Sequence, residues 1–161
     1  MQKRVMMTNN SALCRIVPAG RLVKGSSLDV LTAVRDAVHL GSLLLTHPLC
    51  GNLRPYQQPF RSVLMQENPG ALVHLESLSM IEDAVLLYRS CRDRLVFPNM
   101  LPEPLRADYA FVDFELMKES LELYGLLPRS ASPDFTETPD FTNTPDFTKT
   151  SSATGEAAVM F

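Results

Sequence analysis

The segment 26–46 joins an amphipathic helix pattern to an apolar strand pattern, and this constrains the fold more than any other feature. Ser26 with Asp29 three residues later matches a helix capping box. Apolar residues then share one helical face, namely Leu28, Leu31, Val34 and Val38. Gly41 is placed to end the helix in a left-handed conformation. Leu43–Leu45 are continuously apolar, as expected of a strand buried on both faces. The pair indicates a sheet covered by helices.

The rest of the first 127 residues alternates in the same way. The sequence predicts strands at 4–8, 21–24, 42–46 and 61–66, with a fifth candidate at 109–112. It predicts helices at 11–16, 26–40 and 77–91, and a last one capped by Asp113. Alternation implies a mostly parallel sheet. The strands at 42–46 and 61–66 are joined by a long loop without a helix pattern, so an antiparallel pair and a mixed sheet form the alternative. We therefore predict a small three-layer α/β domain over residues 1–127, with about four to five strands.

The C-terminal residues 128–161 have a different composition. The units 133–138, 139–144 and 145–150 each read Pro-Asp-Phe-Thr-x-Thr. One large apolar side chain per unit is too little to offset ordering entropy of roughly 1–2 kcal/mol per residue. We predict a disordered tail. The alternative is a multivalent Phe-bearing peptide that binds a partner.

Charge and cysteine content narrow the protein class. The net charge of −3 gives no long-range attraction for nucleic acid or an anionic membrane. No apolar run approaches the roughly 18 residues that cross a bilayer. The three cysteines, Cys14, Cys50 and Cys91, are odd in number and form no C-x-x-C pair, which fits a reducing cytoplasm. We expect a cytoplasmic protein that binds neither nucleic acid nor membrane.

Motifs for common cofactors and metals are missing from the sequence. It contains no P-loop, no G-x-G-x-x-G, no H-E-x-x-H and no G-x-S-x-G. The histidines His39, His47 and His74 do not pair with cysteines at zinc-ligand spacing. We expect no resident cofactor and no metal site.

Two polar clusters follow predicted strands, where ligands bind in open α/β sheets. One is Thr8, Asn9 and Asn10. The other lies in the long loop, with Thr46, His47, Gly51, Asn52 and Arg54 as its candidate residues. If the two strands are neighbours, the clusters converge on one crevice. The alternative for the first cluster is a helix N-cap and turn.

His47 and Arg54 carry the chemistry that the loop offers. Pro48 biases His47 toward an extended conformation, which would fix the imidazole at the strand end. There it could act as an acid, a base or a hydrogen-bond donor to an anion. Arg54 could fork onto a carboxylate or phosphate. The alternative is that His47 hydrogen-bonds the loop backbone.

At this loop the sequence resembles the GrdX family. The matching segments, covering roughly residues 4–85, are Thr8-Asn9-Asn10, Lys24-Gly25, Asp29-Val30-Leu31, Val34-Arg35-Asp36, Leu44-Leu45-Thr46-His47-Pro48-Leu49, Gly51, Pro55, Pro59-Phe60-Arg61-Ser62-Val63-Leu64, Leu75-Glu76-Ser77-Leu78 and Ile81-Glu82-Asp83. The Thr-His-Pro-Leu-x-Gly segment is the most specific part.

The resemblance implies a setting without assigning a reaction. GrdX-like proteins are associated with the glycine, sarcosine and betaine reductase gene clusters of anaerobes that ferment amino acids. The first hypothesis is a non-enzymatic accessory protein that binds a small anionic metabolite or a reductase component through the two loops. The second is a small enzyme acting on an acyl phosphate or amino-acid derivative, with His47 as the catalytic acid or base. A carboxylate partner for His47, such as Asp36, Glu67 or Asp83, would favour the enzyme.

Overall fold

The computed structural model describes residues 2–51, 53–128, 131 and 133–135. In this part of the chain one sheet contains four strands in the order β2-β1-β4-β3. The strands are β1 (Lys3–Thr8), β2 (Gly20–Leu22), β3 (Leu43–Leu44) and β4 (Ser62–Glu67). The helices are α1 (Ser11–Ile16), α2 (Ser27–His39), α3 (Leu75–Ser90) and α4 (Glu103–Leu123). Short 3-10 turns lie at Pro55–Gln57, Arg92–Arg94 and Pro98–Met100.

Strand direction decides which chain segments meet. β1 is parallel to β2, whereas β4 is antiparallel to both β1 and β3. The mixed alternative is therefore the sheet that is found. The carboxyl ends of β1, β2 and β3 lie at the same edge as the start of β4, and Thr8 pairs with Ser62 there. All the loops that carry candidate residues leave from this edge.

The sheet is the middle of three layers, because successive strand residues point to opposite faces. Val5, Val63 and Met65 pack on one face against α2 and α3. Met6 and Leu64 pack on the other face against α1 and α4. Burying a side chain of this size stabilises the fold by roughly 1.5–3 kcal/mol. The two cores confirm the predicted three-layer α/β architecture.

The cap predicted for α2 is confirmed in detail. The Asp29 carboxylate accepts from the Ser26 amide at 2.6 Å, and the Ser26 hydroxyl accepts from the Asp29 amide at 3.4 Å. The predicted apolar face supplies Leu31, Val34 and Val38, all fully buried. Gly41 ends this segment with a φ of +100°. The local signals and the packing agree here, which explains why the helix could be predicted closely.

The last helix corrects two predictions. Residues 109–112 are not a strand, and Asp113 is not a helix cap, because both lie inside α4. Prolines at 102 and 104 led to the prediction that no helix covers this stretch, because proline breaks a helix interior. Pro102 is the N-cap residue and Pro104 lies in the first turn, where a missing N–H breaks no helical hydrogen bond. The helix can therefore begin ten residues before Asp113.

Most of the predicted disordered tail lies outside the described residues, since nothing from 136 onward is described. The start of the first repeat unit is described, and it contacts the domain. The ring of Phe135 lies 5.7 Å from that of Phe111 and 5.9 Å from that of Phe114, measured between centroids. Among the described helices, none is long and apolar enough to span a bilayer.

Two glycines with similar backbone angles give a matched test of packing at the end of α2. Gly41 has a φ of +100°, and an added Cβ would lie 2.8 Å from the carbonyl oxygens of Asn68 and Ala71. Gly70 has a φ of +81°, and an added Cβ would meet nothing within 4 Å. We expect Gly70→Ala to cost about 1–2 kcal/mol in the free energy of unfolding, from backbone strain alone.

Gly41→Ala should cost at least about 2 kcal/mol more than Gly70→Ala, because strain and a clash with rigid backbone add. Urea unfolding of both variants gives the comparison. Equal costs would mean that the turn after α2 is looser than described.

Candidate functional site

Asn9 closes the sheet edge from the β1 side. Its side-chain amide donates to the carbonyls of Gly25 at 3.1 Å and Pro59 at 2.9 Å. Its side-chain oxygen accepts from the Arg61 amide at 2.8 Å. The carboxamide is buried and fully engaged with backbone. Asn9 therefore positions the start of β4 and the loop before it, rather than facing a ligand.

Thr8 and Asn10 belong to a buried chain of hydrogen-bonded side chains that reaches α4. Asn10 is the N-cap of α1, as the alternative interpretation predicts, and its oxygen accepts from the Leu13 amide at 3.2 Å. Its nitrogen donates to the Asp113 carboxylate at 3.0 Å. Ser62 donates to the same carboxylate oxygen at 2.7 Å, and the Thr8 hydroxyl lies 2.7 Å from that of Ser62. The chain ties β1, β4, α1 and α4 together.

Asp113 is the acidic centre of this chain. Burial raises the pKa of its carboxyl group, while the bonds from Asn10 and Ser62 and the charge of Arg61 oppose the rise. Desolvation is the larger effect, because a carboxylate taken out of water loses more solvation free energy than two hydrogen bonds from neutral donors restore. Asp113 lies in the middle of α4, so its role is to bind these polar groups and not to cap a helix as the sequence predicts.

Arg61, directly before β4, links the two predicted clusters. Its amide donates to Asn9 and its Nη1 donates to the Cys50 carbonyl at 2.7 Å, inside the long loop. Its Nη2 donates to the Gln58 side-chain oxygen and to the Tyr88 hydroxyl of α3. The side chain is only 3% exposed. No carboxylate lies within salt-bridge distance of it among the described residues, and its Nε–H has no acceptor there.

A pocket of about 390 Å³ lies over this guanidinium, between the long loop and α3. Its lining comprises Leu49, Gly51, Leu53, Arg54, Pro55, Arg61, Leu87 and Tyr88. Gly51 has a φ of +92°, and a Cβ there would lie 2.9 Å from the Leu116 side chain. Burial raises the pKa of Tyr88, so its hydroxyl stays protonated beside Arg61. The volume lies within the range of small-molecule pockets.

Arg54 stands at the rim of this pocket as an exposed cation. Its Nη1 donates to the Tyr56 hydroxyl at 2.7 Å, and the Arg94 guanidinium lies over the Tyr56 ring at 4.7 Å from the centroid. Tyr56 therefore holds two arginines beside the pocket that contains a third, Arg61. Such a cluster attracts anions and fits the fork geometry of carboxylate or phosphate recognition.

The histidine and threonine of the loop have backbone partners. Nδ1 of His47 accepts from the Leu49 amide at 3.1 Å, and the side chain is exposed. The Thr46 hydroxyl accepts from the Leu64 amide at 3.0 Å and extends the β3–β4 pairing. The clusters do share one edge, but β4 lies between β1 and β3, and Arg61 bonds to residues of both clusters. Asn52 lies outside the described residues.

Two of the three carboxylates that would support catalysis by His47 bind arginines instead, while the third, Asp83, is exposed on α3. Asp36 binds Arg35 at 3.0 Å, and Glu67 binds Arg21 at 2.6 Å. Within the described part of the chain, no ion pair joins His47 to an acid. Nor does any group of three His, Cys, Asp or Glu side chains there have the arrangement needed to hold a metal ion.

The sequence interpretation missed Arg61, Tyr88 and Asp113. A signal for Arg61 existed, because a charged residue stands inside the run 59–65, where Ser62 is the only other polar residue. A charge at a core position needs polar partners, which points to a site. Tyr88 occupies a buried position of α3, where the sequence gives no sign that its hydroxyl has a polar partner. Nothing local distinguishes Asp113.

Fold and site together define the class: a small three-layer α/β protein with an arginine-lined pocket under a long loop. The family model described as GrdX-like protein matches residues 5–122. The chain therefore belongs to the GrdX-like family, and the matched region ends within α4, before the repeat units. Comparison with curated proteins and with solved structures gave no match.

Asp113 allows a prediction about pH. Because its pKa is raised above the value of 3.8 for a free aspartate, its contribution to stability is fully present below pH 3.8. That contribution is lost as the pH rises through the raised pKa. Over that interval the free energy of unfolding of Asp113→Asn should rise relative to that of the native protein by up to about 1.4 kcal/mol per pH unit. The reason is that an amide carries no charge to desolvate.

Urea unfolding of both proteins from pH 3.8 upward measures this difference in the free energy of unfolding. Asp83→Asn is the control, because Asp83 is exposed on α3. A stability difference between Asp113→Asn and the native protein that stays flat with pH would contradict the assignment.

Proposed function

We propose that this GrdX-like protein is an accessory component of the glycine, sarcosine and betaine reductase system that binds a small organic anion in the Arg61–Tyr88 pocket. The observation that carries the proposal is Arg61: a buried guanidinium with one unpaired N–H, lining a pocket and lacking a carboxylate within ion-pair distance in the described chain. Buried charges are ordinarily paired. A carboxylate or phosphate group would supply the counter-charge.

The surroundings of Arg61 favour an anion with a short apolar part. Arg54 adds a second cation at the rim, while Leu49, Leu53 and Leu87 supply apolar walls. A volume of about 390 Å³ is at the small end of ligand pockets. Acetyl phosphate, acetate and the carboxylates of glycine, sarcosine and betaine all have this character.

Binding explains the loop residues better than catalysis does. The Nδ1 atom of His47 is held by a backbone amide, and in the described residues no acid orients the ring. A histidine that acts as a catalytic acid or base is normally oriented by a second group. The loop residues Cys50 and Gly51 serve the pocket instead, one by bonding Arg61 through its carbonyl and the other by lining the cavity.

Thermal shift tests this function. Native protein is heated with acetyl phosphate, phosphate, acetate, glycine, sarcosine or betaine. A ligand at about 100 times its Kd stabilises by roughly 2.7 kcal/mol, which should raise the Tm by roughly 5–15 °C. We expect a shift with at least one of these compounds. Arg54→Ala should weaken binding about tenfold or more, and Leu87→Glu should abolish it by placing a negative charge on the pocket wall.

Leu86→Glu is the matched control, since Leu86 is also exposed on α3 but does not line the pocket. It should bind like the native protein. A shift that survives Leu87→Glu would place the ligand elsewhere. No shift with any compound would reject the small-anion function, and capture of purified reductase components would then test a protein partner at the same loops.

A further inference from the structure

The outer face of α4 forms a groove with the residues that follow the helix. The cavity there measures about 860 Å³. Phe111 and Phe114 from α4 form its apolar wall, and Lys118 and Glu122 continue along the same helix. Phe111 remains 49% exposed, which is unusual for a large aromatic residue with a neighbour to stack on. This groove lies on the opposite face of the sheet from the cluster formed with α2 and α3.

The residue seated against this wall comes from the repeat. Pro133 and Phe135 of the first unit line the groove, and Phe135 meets Phe111 edge to face, with 85° between the ring planes. Edge-to-face contact is the favoured geometry of aromatic pairs. Phe135 also packs against the core cluster that contains Phe114 and Met117. The contact therefore continues the hydrophobic core outward onto the tail.

The residues of the first unit that line the groove, Pro133 and Phe135, recur in the other two units. Proline, aspartate and phenylalanine recur at the same spacing in all three units. The fifth position varies, with Glu137, Asn143 and Lys149. Each unit also carries an aspartate beside its phenylalanine, which complements Lys118 in the groove. We propose that the α4 groove is a docking site for the Pro-Asp-Phe units of this chain, and that the three units compete for it.

Chain length sets the competition. Counting from Pro128, the three phenylalanines follow after 7, 13 and 19 residues. The effective concentration of a tethered ligand falls roughly as the −3/2 power of tether length. The effective concentrations of the second and third units at the groove are therefore about 0.4 and about 0.2 of that of the first unit. The first unit dominates, yet the other two together reach about 0.6 of its effective concentration.

A single tryptophan reports occupancy, because the chain contains none. Phe111→Trp places an indole on the groove wall, and acrylamide quenching measures its cover in the full chain. Leu123→Trp is the control reporter, since Leu123 is exposed on α4 and does not line the groove. Synthetic Thr-Pro-Asp-Phe-Thr-Asn-Thr and its Phe→Ala version are the competing and inert peptides. In the control reporter, neither peptide should change the quenching.

With the reporter at 111, we compare Phe135→Ala with the triple variant Phe135→Ala, Phe141→Ala and Phe147→Ala. The single variant should keep the indole covered and lower the half-displacing concentration of the synthetic peptide by about 2.6-fold. The triple variant should expose the indole, and added synthetic peptide should restore its cover. If Phe135→Ala alone exposes the indole as fully as the triple variant, the units do not compete. If the triple variant is quenched like the parent, or does not bind the peptide, the groove is not a docking site.

Discussion

The buried guanidinium of Arg61 is the constraint on which the carboxyl edge of the sheet depends. An arginine cannot lose its charge in a protein interior, so the chain must bring acceptors to it. Two segments do so: the long loop, through Cys50 and Gln58, and α3, through Tyr88. The loop, whose regular structure in the described residues is one short 3-10 turn, is thereby held in one path over the pocket. The residue that we propose to bind an anion therefore also holds the loop that lines its pocket.

A second set of buried polar contacts runs beside the first and is centred on the carboxyl group of Asp113. Asn9 accepts from the Arg61 backbone amide, while Asn10 donates to Asp113, so two adjacent side chains support the two sets of contacts. Polar networks of this kind are costly when incomplete and specify one arrangement when satisfied. The Thr8–Asn10 segment therefore acts as the frame of the site. The loop residues His47 and Arg54 are exposed, in contrast to this segment.

Sequence reasoning reached the fold where local and tertiary signals agree, and failed where a single contact decides. The capping box at Ser26 and the stripe ending at Val38 are local, so α2 was predicted almost to its ends. The start of α4 was missed because prolines break a helix everywhere except in its first turn, and nothing local shows that these two lie at a helix start. Thr8–Asn10 could be recognised as special, yet their burial follows from the β1–β4 register, which no local pattern encodes. The role of Arg61 could be recognised only from the partners that the long loop and α3 bring to it.

The strand lengths have a consequence for association between copies of the protein at high concentration. The long strands, β1 and β4, lie in the middle, while the outer strands have three and two residues. An outer strand presents unpaired N–H and C=O groups that can recruit another molecule, and the hazard grows with its length. Here each border offers at most a few such groups. The sheet therefore gives little template for edge-to-edge aggregation.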